Sequence, residues 1–153
     1  QGNRENPMAD TMQFDLVSPE ARIVSGKAAS VQIPGAKGTL TAMPGHAPVI
    51  TTLRPGILRA EMDGGVQEYA VLGGFAEITA DTLSVLAEHA FPRTADNRGE
   101  VEAQLEEARA KAASAPAEER DAVELLVADL AELVQAMASD RSLQGSSGAP
   151  APA

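Results

Sequence analysis

The chain is 153 residues long and carries 12 Lys and Arg against 22 Asp and Glu, for a formal net charge of -10, with 2 His and no Cys. That length accommodates one compact domain with an appendage, and the lack of Cys excludes disulfides, thiol catalysis and sulfur-based zinc sites. The acidity speaks against nucleic acid and anionic lipid, whose recognition needs clustered Lys and Arg, so the expected partners are proteins.

Residues 1–10 read as a disordered extension or cloning remnant outside the predicted fold, the polar residues 1–7 preceding a Met8 that would suit a natural start. No apolar run approaches the roughly 20 residues of a membrane span, so no direct membrane insertion is expected. Over residues 11–92, short apolar runs alternate with turn residues. Met12, Phe14 and Leu16 share one face, followed by Val31 and Ile33, Leu40 and Ala42, Leu58, Ala60 and Met62, Tyr69 and Val71, and Leu83, Val85 and Ala87. Such period-two alternation predicts strands. Gly35-Ala36-Lys37-Gly38, Asp63-Gly64-Gly65 and Ala80-Asp81-Thr82 separate neighbouring runs, so sequential antiparallel pairing into two packed sheets is the economical topology. Within this stretch Pro44-Gly45-His46-Ala47-Pro48 reads as a rigid loop, because the prolines lock φ and withhold donors while Gly45 admits a turn.

Past Pro92 the composition shifts to Ala and Glu and the period lengthens. Asn97 and Glu100 have capping-box spacing, and Val101, Leu105, Ala108 and Ala112 recur at helical intervals. Ser114-Ala115-Pro116 interrupts this helix, Pro116 being well suited to open a second. The second helix carries a stripe of Val123, Leu126, Leu130, Leu133 and Met137, widened by Val127 and Val134. Residues 95–141 thus form an antiparallel hairpin, and residues 142–153 hold too little apolar surface to repay ordering and are expected to be disordered.

No P-loop, His-Glu-x-x-His or nucleophile-elbow pattern occurs, so no catalytic residue or metal ligand is assigned. His46, set between prolines, reads as a turn or contact residue rather than a proton carrier. His89 is expected at the interface with the hairpin or in solvent. Glu100, Glu102, Glu106 and Glu107 supply the polar face that a surface helix needs. Gly73-Gly74 lacks the third glycine and following helix of a phosphate loop and is read as permitting close backbone approach.

The ordered series Phe14-Asp15-Leu16-Val17-Ser18-Pro19, Pro44 to Pro48, Leu53-Arg54-Pro55-Gly56 and Gly73-Gly74-Phe75 resembles the epsilon subunit of the bacterial F-type proton-translocating ATP synthase, over about residues 8–137. The resemblance implies an α+β chain: an N-terminal antiparallel β-sandwich followed by a C-terminal antiparallel two-helix hairpin. It also implies a non-catalytic central-stalk (rotor) subunit that couples proton translocation to ATP synthesis by joining the gamma subunit to the c-ring. The hairpin would touch the alpha and beta subunits transiently, with a weak regulatory role in hydrolysis. The location implied is peripheral, on the cytoplasmic side of the bacterial inner membrane.

By the same resemblance, Gly35, Lys37 and Thr39 lie towards the c-ring loops, Thr39 standing where many relatives carry an acidic residue. Ser18, Pro44, His46 and Pro48 lie towards gamma. Leu105-Glu106-Glu107-Ala108-Arg109-Ala110 looks like the family's nucleotide motif, with Glu106 in place of Asp and only Arg120 available as a further phosphate ligand on the second helix. It implies at most weak ATP binding at Glu106 and Arg109, with no cofactor required, and an ordinary i,i+3 surface pair accounts for the same residues. The alternative from another class is a freestanding small-molecule-binding sandwich that self-associates through its hairpin.

Overall fold

A computed structural model describes residues 10–148, with side chains through Ala138; all but Asp10 of the expected extension over 1–10, and the final residues 149–153, lie outside that range. The strands are β1 (Met12–Ser18), β2 (Ala21–Gly35), β3 (Gly38–Ala42), β4 (Val49–Thr52), β5 (Gly56–Met62), β6 (Gly65–Val71), β7 (Gly74–Ile78), β8 (Thr82–Ala87) and β9 (Ala90–Pro92). A short 3-10 turn, Ala95–Asn97, leads into helices α1 (Arg98–Ser114) and α2 (Ala117–Gly148).

The strands form one hydrogen-bonded sheet folded over on itself, in the order β9-β6-β5-β2-β1-β8-β7-β4, with β3 attached to β2. Strand β2 makes the fold possible. Its first half pairs with β1 and its second half with β3 and β5, with register breaks at Leu16/Val17 and Ala28/Ser30. Bulges of this kind bend a strand and increase its twist, which lets one strand pass from one layer into the other.

Sequential antiparallel pairing holds for β1–β2, β2–β3, β5–β6 and β7–β8. Elsewhere the expectation is corrected. Strand β1 pairs with β8 in parallel, β4 pairs with β7 rather than with its neighbour β5, and β9 returns to β6. The reason is closure: an apolar face on each layer is buried only if the chain crosses between layers.

The predicted inward positions fill the core. Met12, Phe14, Leu16, Val31, Ile33, Leu58, Leu83 and Val85 are all essentially inaccessible, and Ile78, on a strand that the alternation did not mark, joins them. A second cluster joins the hairpin to the outside of this sandwich, where Ala70, Leu72, Ile57 and Phe91 meet Val101, Leu105, Ala108, Leu130, Leu133, Val134 and Met137. Much of the predicted stripe is therefore buried, with Val123, Leu126, Val127 and Ala112 only partly covered.

Two local expectations about the helices are corrected. Asn97 makes no capping box, because the preceding 3-10 turn leaves it in helical conformation (φ -95°, ψ 0°). Its amide instead reaches back to the Pro92 carbonyl and Thr94 Oγ1, at 2.9 and 3.1 Å. Helix α2 runs on to Gly148, past the end expected near Arg141, since each added residue of an established helix gains a hydrogen bond without a new nucleation cost. Gly74 behaves as anticipated: at φ +108° an added Cβ would overlap the Leu86 carbonyl oxygen and lie 2.8 Å from Ala87 Cα, so strands β7 and β8 close only around glycine.

Candidate functional site: the outer surfaces of the sandwich

Strand alternation places one side chain in two outside, and those outside positions carry an apolar row. Cross-strand partners run Thr52–Phe75–Leu86–Val17 across β4, β7, β8 and β1. Phe75 and Leu86 are 46% and 44% exposed, and neighbouring strands about 4.8 Å apart bring their side chains into one patch. With Ser18, Pro19 and Gly74 they line an almost wholly apolar concavity of about 370 Å3. Ser18 itself is 8% exposed, and its hydroxyl donates to the Ala21 carbonyl at 3.5 Å. It closes the turn into β2, and Val17 and Pro19 present the surface beside it.

Gly35, Lys37 and Thr39 are brought together in a second crevice, of about 350 Å3, beside Leu40, Val49, Ile50 and Thr51. Ile50, at 68% exposure, is the most exposed large apolar side chain among the described residues. It lies on β4, an edge strand, and edge strands offer unpaired backbone groups to partners.

Pro44, His46 and Pro48 occupy the β3–β4 loop. Gly45, at φ +85°, donates its N–H to Ala80 O at 2.9 Å, and the His46 N–H donates to Met43 O at 3.1 Å. The loop is thus tied to the β7–β8 turn, while Ser18 lies at the far end of β1 and β8. The structure therefore does not bring Ser18 and His46 together: a strand of six or seven residues separates them by about 20 Å. One partner meets both only by running along the strands.

Glu106 and Arg109 pair at 3.0 Å with side chains 71% and 53% exposed. Between hairpin and sandwich lies a cavity of about 370 Å3, to which α1 contributes Gln104, Glu107, Ala108 and Lys111, with His89 and Leu130 opposite. At 3.6 residues per turn, Glu106 and Arg109 project from the other side of α1. Arg120 donates to the Ala115 carbonyl at 3.3 Å, in the turn between the helices. The three residues implied for nucleotide binding do not converge on the cavity. His89 falls at the hairpin interface, its ring stacked on Phe91 with centroids 6.4 Å apart.

Phe75, Leu86 and Ile50 are the surface residues that pattern reading missed. Their signal was present: Leu86 interrupts the inward series Leu83, Val85, Ala87, and Phe75 precedes inward Ala76 and Ile78. A large apolar residue in the outward phase of a strand marks a contact surface rather than a core.

A β-sandwich with a docked helical hairpin and apolar outer patches defines a class of subunit that works through protein contacts. The chain matches the family model for the ATP synthase delta/epsilon chain β-sandwich domain over residues 11–93. It is 60% identical over 102 residues to the ATP synthase epsilon chain of Ruegeria sp. (strain TM1040), covering 67% of this chain and 74% of that one. Identity to ATP synthase epsilon chain 1 of Cereibacter sphaeroides is 52% over 126 residues, 82% and 96% of the two chains. In structure it is similar to a chain of the Euglena gracilis mitochondrial ATP synthase solved as OSCP/F1/c-ring in rotational state 1, with TM-score 0.63, 26% identity, and coverage of 82% and 80%. The chain belongs to the ATP synthase epsilon chain family and is a rotor-stalk subunit of that complex. No helix among the described residues is long and apolar enough to cross a membrane.

Proposed function

We propose that the sandwich joins the gamma subunit to the c-ring and transmits rotation between them, without catalysing chemistry itself. The row Val17, Phe75, Leu86 carries this reading: it is apolar and continuous across three strands, and Phe75 and Leu86 are too exposed to serve the core. Gamma covers this face and reaches the Pro44–Pro48 loop by lying along the strands. The turn around Lys37, with Thr39 and Ile50 beside it, meets the polar loops of the c-ring. A sandwich suits torque transfer because close-packed interiors deform little. Its place is peripheral, on the cytoplasmic side of the bacterial inner membrane, held there through its partners.

The test is Leu86→Glu, which puts a charge into the row without touching the core. Co-purification with gamma falls at least about tenfold if the row is the interface, while the melting temperature of the free chain stays put. Unchanged capture of gamma would sink the assignment.

The hairpin is proposed to be a weak inhibitor of hydrolysis through the alpha and beta subunits. Between Ala117 and Arg141 the chain carries Arg120 and Arg141 against Glu118, Glu119, Asp121, Glu124, Asp129, Glu132 and Asp140, and like charges disfavour insertion against an acidic surface. Glu106 and Arg109 are read as a surface ion pair, such pairs contributing about 0.2–1 kcal/mol, and no cofactor is assigned to them.

A further inference from the structure

We propose that Arg54 and Asp129 form a one-sided latch, in which docking of the hairpin depends on the arginine and not on the aspartate. The pair ties the hairpin to the sandwich beside the apolar cluster that the two share. Arg54 sits in the β4–β5 loop, and its Nε and one terminal nitrogen donate to the two carboxylate oxygens of Asp129 on α2, at 3.0 and 2.7 Å. This two-point fork is the strongest geometry open to such a pair. Asp129 is the one buried carboxylate among the described residues, at 7% exposure, and shares a crevice with Pro55, Gly56, Ile57, Leu133 and a second carboxylate, Glu132. The Arg54 side chain is 40% exposed.

This imbalance sets the sign of each substitution. Without Arg54, the buried Asp129 carboxylate loses the two donors that satisfy it and is left beside Glu132 with no cation between them, so α2 must lift to rehydrate it. Without Asp129, Arg54 swings into water at little cost, and an apolar residue fits the crevice. The Arg54 guanidinium is held above its ordinary pKa, first by its hydrogen bond to Asp129 and then by that residue's charge.

The arginine is also held by the sandwich. Its own N–H donates to Pro34 O and that of Leu53 to Gly74 O, each at 2.9 Å. Pro34 leads into the Gly35–Gly38 turn and Gly74 into Phe75, so the loop that holds the latch is bonded to both outer surfaces described above. Docking of the hairpin thereby answers to the position of that loop. The inference does not depend on which partner covers the sandwich, and its test uses the isolated full-length chain.

Amide hydrogen exchange over residues 126–137 is compared in the parent, Arg54→Met, Asp129→Leu and the double variant. Arg54→Met is expected to speed exchange there at least about tenfold while β1 and β8 stay protected, with Asp129→Leu and the double variant within about threefold of the parent. Equal acceleration in both single variants would show a symmetric contact and overturn the latch, as would no change in Arg54→Met. If Arg54→Met also loses protection in β1 and β8, the double variant decides: recovered protection supports the latch, and continued loss overturns it.

Discussion

In the sandwich, residues that pair are far apart in the chain: Val17 lies opposite Leu86 and Val49 opposite Ile78. In the hairpin, the stripe on α2 meets α1 across the short Ala115-Pro116 turn, and each helix makes its own backbone bonds. The sandwich buries its alternating faces against each other, whereas the hairpin buries one stripe and depends on Ala70, Leu72, Ile57 and Phe91 of the sandwich for the remainder. The dependence runs largely one way. The sandwich cluster is built without helix residues, and the helices lack a complete core without the sandwich, so the part proposed to transmit rotation is also the part with a core of its own. Helices packed through a single face open at lower free energy than a closed core.

Cutting the larger core should break the comparison most severely. Phe14→Ala removes a fully buried ring and is expected to cost about 3–5 kcal/mol, lowering the denaturant midpoint of both parts together. If helix content survived the loss of the sandwich, the hairpin would have to be independent after all.

Leu133→Ala, in the second cluster, is expected to cost about 2–5 kcal/mol, and mainly locally. The chain has 1 Tyr and no Trp, so Tyr69 fluorescence reports the sandwich while far-ultraviolet circular dichroism follows the helices. The helix signal should melt first in this variant; coincident transitions would argue that the two parts unfold as one.

Gly74→Ala probes the closing of β7 on β8. A positive φ and an overlap with the Leu86 carbonyl are both forced on the new residue, at a cost of about 1–3 kcal/mol. The change lies beside the apolar row, so it should weaken gamma capture as well as stability. A stable variant with full capture would mean that the strand pair tolerates a shift there.

The smallest effect concerns pH. Partial burial raises the Tyr69 pKa above its usual value near 10. The neutral phenol is therefore favoured in the folded chain, and its contribution is complete below the unfolded pKa and lost as pH rises through the folded one. Absorbance titration of this single tyrosine should place its midpoint higher in the folded chain than in denaturant. Identical midpoints would show that the ring is fully solvated.

How much of this was legible beforehand depended on how local each signal is. Strand β1 was readable from Met12, Phe14 and Leu16, and both helices from their stripes, because alternation and helical period are properties of neighbouring residues. Strand β4 was not: Val49 and Ile50 lie outside the core, so there was no alternation to detect. The first half of β2 was missed for a similar reason, since only Val24 and Ala28 of its residues 21–28 turn fully inward. The capping-box reading of Asn97 failed because residues before the motif had already turned the chain into a helical conformation.

By itself the sequence determined the two-part organisation, the inward face of most strands, the hairpin and its turn, and the turn at Gly45, since each follows from residue type at short range. Only the tertiary structure decided that β1 runs parallel to β8, that Ser18 is buried in the turn into β2 and lies far from His46, that Glu106 and Arg109 point away from the cavity, and that Arg54 finds Asp129. Those outcomes depend on which distant surfaces meet when the sheet closes over its core. That choice is made by burial and chain closure summed over the whole domain, and no short window of residues encodes it.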